Sequence, residues 1–99
     1  MLGLLVRFDL RDEEAARAFD RLAAETSAAV RASEPGAIAY TMHHVAGEPL
    51  ARVVYELYRD DEALDEHRRQ AHTRRLLTEA EHWAVHRRVE MVEPVQGFG

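Results

Sequence analysis

The chain contains no cysteine. That absence excludes disulfides, thiolate nucleophiles and any metal site that needs a thiolate. Long apolar runs are missing too, so no segment reads as a membrane-spanning helix. The opening Met1-Leu-Gly-Leu-Leu-Val-Arg7 is too short in its apolar part for a secretory signal, and no basic stretch precedes it. There is no basic excess. Thirteen Lys and Arg against 18 Asp and Glu give a formal net charge of -5. A nucleic-acid binder usually carries a basic stripe, so neither nucleic acid nor membrane is expected as a partner. The few prolines, Pro35, Pro49 and Pro94, fall at turns or in the tail, and no repeat, low-complexity tract or linker interrupts the chain. The expectation is a single cytoplasmic domain over residues 1–99, with 94–99 as an irregular tail.

What is present fits a folded domain. Hydrophobic residues are 46% and charged residues 31%, an ordinary globular balance. Ninety-nine residues can bury a core of their own, yet a chain this small gains from a partner.

Leu2, Leu4, Val6, Phe8 and Leu10 alternate with other residues, the period of a strand with one buried face. Asp12 is placed to cap a helix, with Glu13 and Glu14 near its positive end. Ala15, Phe19, Leu22, Ala23, Thr26 and Val30 follow at helical spacing to about Ser33. Glu34-Pro35-Gly36 then stops the helix. Ala37 to Val45 reads as a second strand, Ala46-Gly47-Glu48-Pro49 as a turn, and Leu50 to Arg59 as a third strand closing a hairpin. Asp60 and Asp61 cap a helix bearing Ala63, Leu64 and His67, and a further helical piece runs from about His72 to Ala80. Trp83, Val85, Val89 and Met91 alternate as a last strand.

The order β-α-β-β-α-β is that of the ferredoxin-like α+β fold, with a four-stranded antiparallel sheet and both helices on one face. The third strand is apolar at both parities: Val53, Tyr55 and Leu57 against Val54 and Tyr58, with Leu5 adding to it from the first strand. Two helices cover only one face of a sheet. A homodimer packed sheet to sheet is the expected solution for the other.

The segment from Tyr55 to His72 concentrates reactive side chains. Tyr55, Glu56 and Tyr58 precede the Asp60 cap, and His67 and His72 lie in the helical part that follows. Glu34-Pro35-Gly36 with Tyr40, then Tyr55-Glu56-x-Tyr58-x-Asp60, Ala63, His67 and His72, resemble the antibiotic biosynthesis monooxygenase domain family over nearly the whole length. By pattern, the small quinol monooxygenases and the autoinducer-2 degrading isomerases are the most similar branches. The resemblance implies a dimeric α+β barrel that works without metal or organic cofactor. The haem-degrading branch uses an asparagine on the first strand, and Leu5-Val6-Arg7-Phe8 has none.

On a continuous helix, residues five apart point about 140° apart. His67 and His72 therefore share a cavity only if the helix breaks near Gln70-Ala71, as the resemblance implies. Each histidine then serves either as a proton acceptor or as packing at a helix end. Glu56 and Tyr58 point to one sheet face. Glu56 is read first as an ion-pair partner of Arg7 or Arg87, and second as a group that orients a histidine. Tyr40 and Tyr58 line a pocket or pack the core. Arg68, Arg69, Arg74 and Arg75 guide an anionic substrate or form a solvated helix face, with Arg68 the substrate-binding candidate.

No metal is expected. As strand residues, His82 and His86 stand about 13 Å apart, and the adjacent His43 and His44 face opposite ways. The leading functional reading is a cofactor-independent monooxygenase of a small electron-rich aromatic, a quinol or polyketide phenol, with His67, His72 and Tyr58 as catalytic residues and Tyr40, Glu56 and Arg68 at the substrate. The alternatives are a proton-shuttling isomerase of a small phosphorylated keto compound and a non-catalytic small-ligand-binding dimer.

Overall fold

A computed structural model describes residues Met1–Phe98. The elements are β1 (Leu2–Leu10), α1 (Glu13–Ser33), β2 (Ala37–Val45), β3 (Glu48–Tyr58), α2 (Asp61–Arg69), α3 (Ala71–Trp83) and β4 (Ala84–Val92). The four strands form one antiparallel sheet in the order β2-β3-β1-β4, the ferredoxin-like arrangement, with the second helix of that pattern split in two. The sheet is open within one chain.

Local chemistry sets the element ends. The Asp12 carboxylate accepts from the Ala15 N–H at 2.8 Å and starts α1. That helix buries Ala15, Ala16, Phe19, Leu22, Ala23, Thr26 and Val30, the stripe its sequence spacing predicts. Phe19 packs on Phe8 of β1 with ring centroids 4.9 Å apart. Asp60 caps α2 in the same way through the Ala63 N–H.

The β2–β3 turn is tighter than the sequence predicts. Val45 pairs with Glu48, so Ala46 and Gly47 alone make the turn, and Gly47 takes a positive φ of 78° at its second position, where glycine is favoured. The strand therefore begins at Glu48 instead of Leu50.

Trp83 and His82 belong to α3, not to the last strand. Leu76, Ala80 and Trp83 continue helical spacing, and Trp83 packs against the core from the final turn. The alternation that pointed to a strand is real only from Ala84 onward. Its distance argument for His82 and His86 therefore does not apply.

Register fixes which side chains face the helices. Val6 pairs with Val89 and Leu4 with Met91, so those β4 residues share the helix-side face. β4 is an edge strand, and Val89 and Met91 remain exposed there. On the far side of the sheet Leu5, Val53, Tyr55 and Leu57 are half-buried. The core lies between the helices and Leu4, Val6, Phe8, Val54 and Tyr58.

Candidate functional site

The site is assembled at two helix interruptions. At the end of α1, Glu34 leaves the helix with φ -119° and ψ 85°, a conformation favoured by the proline that follows. Its side chain turns inward and is almost fully buried. His67 sits in the last turn of α2 and is buried as well. Between α2 and α3, Gln70 adopts an extended conformation that interrupts the helix. The interruption swings His72 back toward His67.

Both histidines meet the same carboxylate. His67 Nδ1 lies 2.8 Å from Glu34 Oε1, and His72 Nε2 lies 2.5 Å from Glu34 Oε2. An ionised carboxylate only accepts, so each of these ring nitrogens carries a proton toward Glu34. Thr73 Oγ1 stands 3.3 Å from His67 Nδ1.

The opposite edge of the His67 ring faces the sheet. His67 Nε2 is 3.5 Å from Glu56 Oε1. The Tyr58 hydroxyl donates to the same Glu56 oxygen at 2.6 Å. The rings of Tyr58 and Tyr40 lie 5.1 Å and 5.6 Å from the imidazole. A polar chain thus runs Tyr58, Glu56, His67, Glu34, His72 through the interior, and among the described residues no buried side-chain nitrogen or oxygen lacks a partner.

Burial controls the acids of this chain. It pushes the Glu56 carboxyl above its ordinary range, while the Tyr58 hydrogen bond and His67 pull the other way. Burial, then the Glu56 charge, push both the Tyr58 and Tyr40 phenols up. Tyr58 therefore remains a hydroxyl donor across the working range of pH.

Between α2, α3 and the sheet lies a cavity of about 110 Å³. Leu4, Val6, Phe8 and Val54 form its floor, and Leu64, Leu76 and Leu77 its roof. Tyr40, Glu56, His67 and Thr73 supply polar groups, and the exposed Arg68, Arg87 and Val89 complete the wall.

Of the residues the sequence singles out, His67, Glu56, Tyr40 and Arg68 line this cavity. Tyr58 does not. It is fully buried and reaches the cavity only through its bond to Glu56. His72 stands behind Glu34, with its side chain 19% exposed. Glu56 does not pair with Arg7, which lies on the other sheet face with Asp9 and Glu48. Arg87 shares the cavity wall, but the hydrogen bond of Glu56 is to Tyr58. Of the arginines near the histidines, Arg69 pairs with Glu66 and Arg74 donates to the Arg69 carbonyl, as on a solvated face.

Glu34, Thr73 and Arg87 were not singled out as site residues. Glu34 is visible in the sequence as part of a helix stop and of the motif that carries the family resemblance, not as a partner of the histidines, which are 33 and 38 residues away. One set of donors has metal-ligand proximity: atoms of Glu34, His67 and His72 all lie within 4.8 Å of one another.

Known proteins share this fold. The family model of antibiotic biosynthesis monooxygenase matches residues 1–79. Rv0793 from Mycobacterium tuberculosis is 24% identical with a TM-score of 0.89, over 99% of this chain and 98% of that one. A solved antibiotic biosynthesis monooxygenase is 25% identical with a TM-score of 0.87, over 97% of this chain and 100% of that one. PA3566 from Pseudomonas aeruginosa is 22% identical with a TM-score of 0.85, over 96% and 94% respectively. Among curated proteins none matches the sequence.

Proposed function

The chain belongs to the antibiotic biosynthesis monooxygenase family, and from that premise we propose that it oxidises a small electron-rich aromatic with dioxygen, without a cofactor. The observation that carries the proposal is His67, which presents Nε2 toward the cavity while Nδ1 is held by the buried Glu34 carboxylate. A base so backed takes a phenolic proton and becomes an imidazolium steadied by Glu34.

The chemistry balances with substrate and dioxygen alone. His67 Nε2 removes a phenolic proton. The phenolate passes one electron to dioxygen, and the two radicals join in a carbon–oxygen bond. Loss of water then leaves the second oxygen in the product, so a quinol and dioxygen give a hydroxyquinone and water. The substrate loses four electrons and dioxygen gains four. Tyr58 fixes Glu56, and Glu56 with Tyr40 orients the ring edge that meets His67.

Size limits the substrate. A cavity of about 150 Å³ holds benzene, and this one is about 110 Å³. The space is smaller still, so a one-ring quinol enters only as the exposed wall of Arg68, Arg87 and Val89 gives way, and a fused polycyclic does not fit. Oxygen uptake with one-ring quinols tests the proposal, against an anaerobic control and a His67→Gln variant. Equal turnover without oxygen would overturn it.

Arg68 and Arg87 at the cavity wall support a second reading, an isomerase of a small phosphorylated keto compound. It requires solvent deuterium to enter such a substrate without oxygen. We further propose a homodimer through the sheet face that carries Leu5, Val53, Tyr55 and Leu57. Sedimentation of a Val53→Glu variant checks it: a dimer becomes a monomer, whereas an unchanged mass removes this interface.

A further inference from the structure

We propose that Glu34, His67 and His72 bind a divalent transition-metal ion of the zinc class, and that the ion acts on His67 from the side away from the cavity. Two imidazoles and one carboxylate form a donor set that zinc accepts, with a fourth position left for water. The three ligand atoms lie within 4.8 Å of one another. Neighbouring ligands on a tetrahedral zinc stand roughly 3.3 Å apart when bonds are about 2.0–2.1 Å. The present N···O contacts, 2.8 Å to Oε1 and 2.5 Å to Oε2, engage different oxygens of Glu34, so an ion must part the imidazoles from the carboxylate and draw both onto itself.

The fold allows that movement. His72 is the second residue of α3, next to the Gln70 break, and its side chain is 19% exposed. It can swing outward, and it marks the entry path for a hydrated ion. Glu34 and His67 are nine-tenths or more buried, which gives the ion two ligands held by the core. With Nδ1 on the metal, the His67 Nε2–H faces Glu56 Oε1, 3.5 Å away, which is placed as the outer-shell partner. Glu56 lies just beyond His67, so a cation would sit near two buried carboxyl groups.

Binding changes what His67 offers the cavity. Without metal, Nδ1 donates to Glu34 and Nε2 of the neutral ring is an acceptor. A metal on Nδ1 forces the remaining ring proton onto Nε2. The cavity then meets an N–H donor where a base had been. This consequence rests on the proposed role of His67 as base; the binding itself does not.

The test uses the whole chain with zinc chloride as the probe, and needs no substrate. Calorimetry should show one zinc per chain. Long-range nitrogen–proton spectra of labelled histidine should show the His67 proton moving from Nδ1 to Nε2. His72→Ala, at a partly exposed position, should weaken binding at least tenfold, and Glu34→Gln should do the same, with urea unfolding showing both variants folded. A His82→Ala/His86→Ala variant should bind as the parent does. Undiminished binding in His72→Ala, loss in the His82/His86 variant, or an unchanged His67 tautomer at saturation would each overturn the proposal. So would the absence of any binding at zinc concentrations below those that precipitate the protein.

Discussion

His67 Nδ1 and Glu34 Oε1 meet at 2.8 Å across 33 residues of chain, with both side chains nearly excluded from water. The contact ties the end of α1 to the end of α2 and sets which nitrogen of His67 turns toward the cavity. The same carboxylate holds His72, so one residue fixes two imidazoles. A buried acceptor that serves two donors is costly to remove, because both donors lose their partner at once.

Glu34→Ala should therefore destabilise the protein by about 1.5–3 kcal/mol for the His67 bond alone, the range for hydrogen bonds to charged groups. Glu34→Gln keeps an acceptor and should cost less. Urea unfolding of the three proteins measures the order. Equal stability of Glu34→Ala and the parent would mean that the histidines find other partners.

Glu56 gives the fold a pH dependence of known sign. Its carboxyl is raised in the folded state from an ordinary 4.5, mainly by burial. Above 4.5 the unfolded chain loses this proton first, so the folded state binds more protons and stability falls as pH rises through the folded value. Glu56→Gln cannot ionise. Its stability relative to the parent should rise over that window, as read from urea midpoints at successive pH values. A difference that stays flat with pH would count against the buried-acid account.

Tyr58→Phe should remove the hydroxyl that holds Glu56 down. The loss of the bond costs about 1 kcal/mol. The Glu56 carboxyl should rise further, because that hydrogen bond is the largest effect opposing burial. The fall in stability with pH then extends to higher pH than in the parent. In an active preparation the pH–rate profile should move in the same direction.

Gly36 leaves no room for a side chain. A Cβ placed there would stand 2.5 Å from the Ala63 Cβ, at the first turns of α2. Gly36→Ala should cost about 1–3 kcal/mol by overpacking. Adding Ala63→Gly should recover part of the loss, apart from the helix penalty of the new glycine. Thermal melts of the single and double variants decide it. A single variant as stable as the parent would show that α2 can shift freely.

Val89 separates binding from folding. It is 42% exposed on the edge strand yet lines the cavity. Val89→Trp should fill part of the cavity and raise KM for a one-ring quinol. Stability should stay within about 0.5 kcal/mol, as for most exposed positions. Unchanged kinetics would place the substrate elsewhere.

Much of the fold was legible because its signals are local. Period-two alternation located β1, helical spacing located α1, and Asp12 and Asp60 announced their caps. Trp83 misled, since a residue at the junction of α3 and β4 satisfies both periods, and only its packing against the core chooses between them. The shared face of Glu56 and Tyr58 was also readable, because strand geometry alone places residues two apart together. Their hydrogen bond realises it.

The sequence by itself determined the order of elements, the helix stop at Glu34-Pro35-Gly36 and the presence of two histidines after Asp60. Tertiary structure decided what those histidines do. The break at Gln70 returns His72 toward Glu34, and the packing of α1 against α3 and β2 brings that carboxylate to His67. Spacing along the chain carries no trace of such a meeting. A hydrogen bond across 33 residues is set by how whole elements pack, and packing is a property of the assembled core.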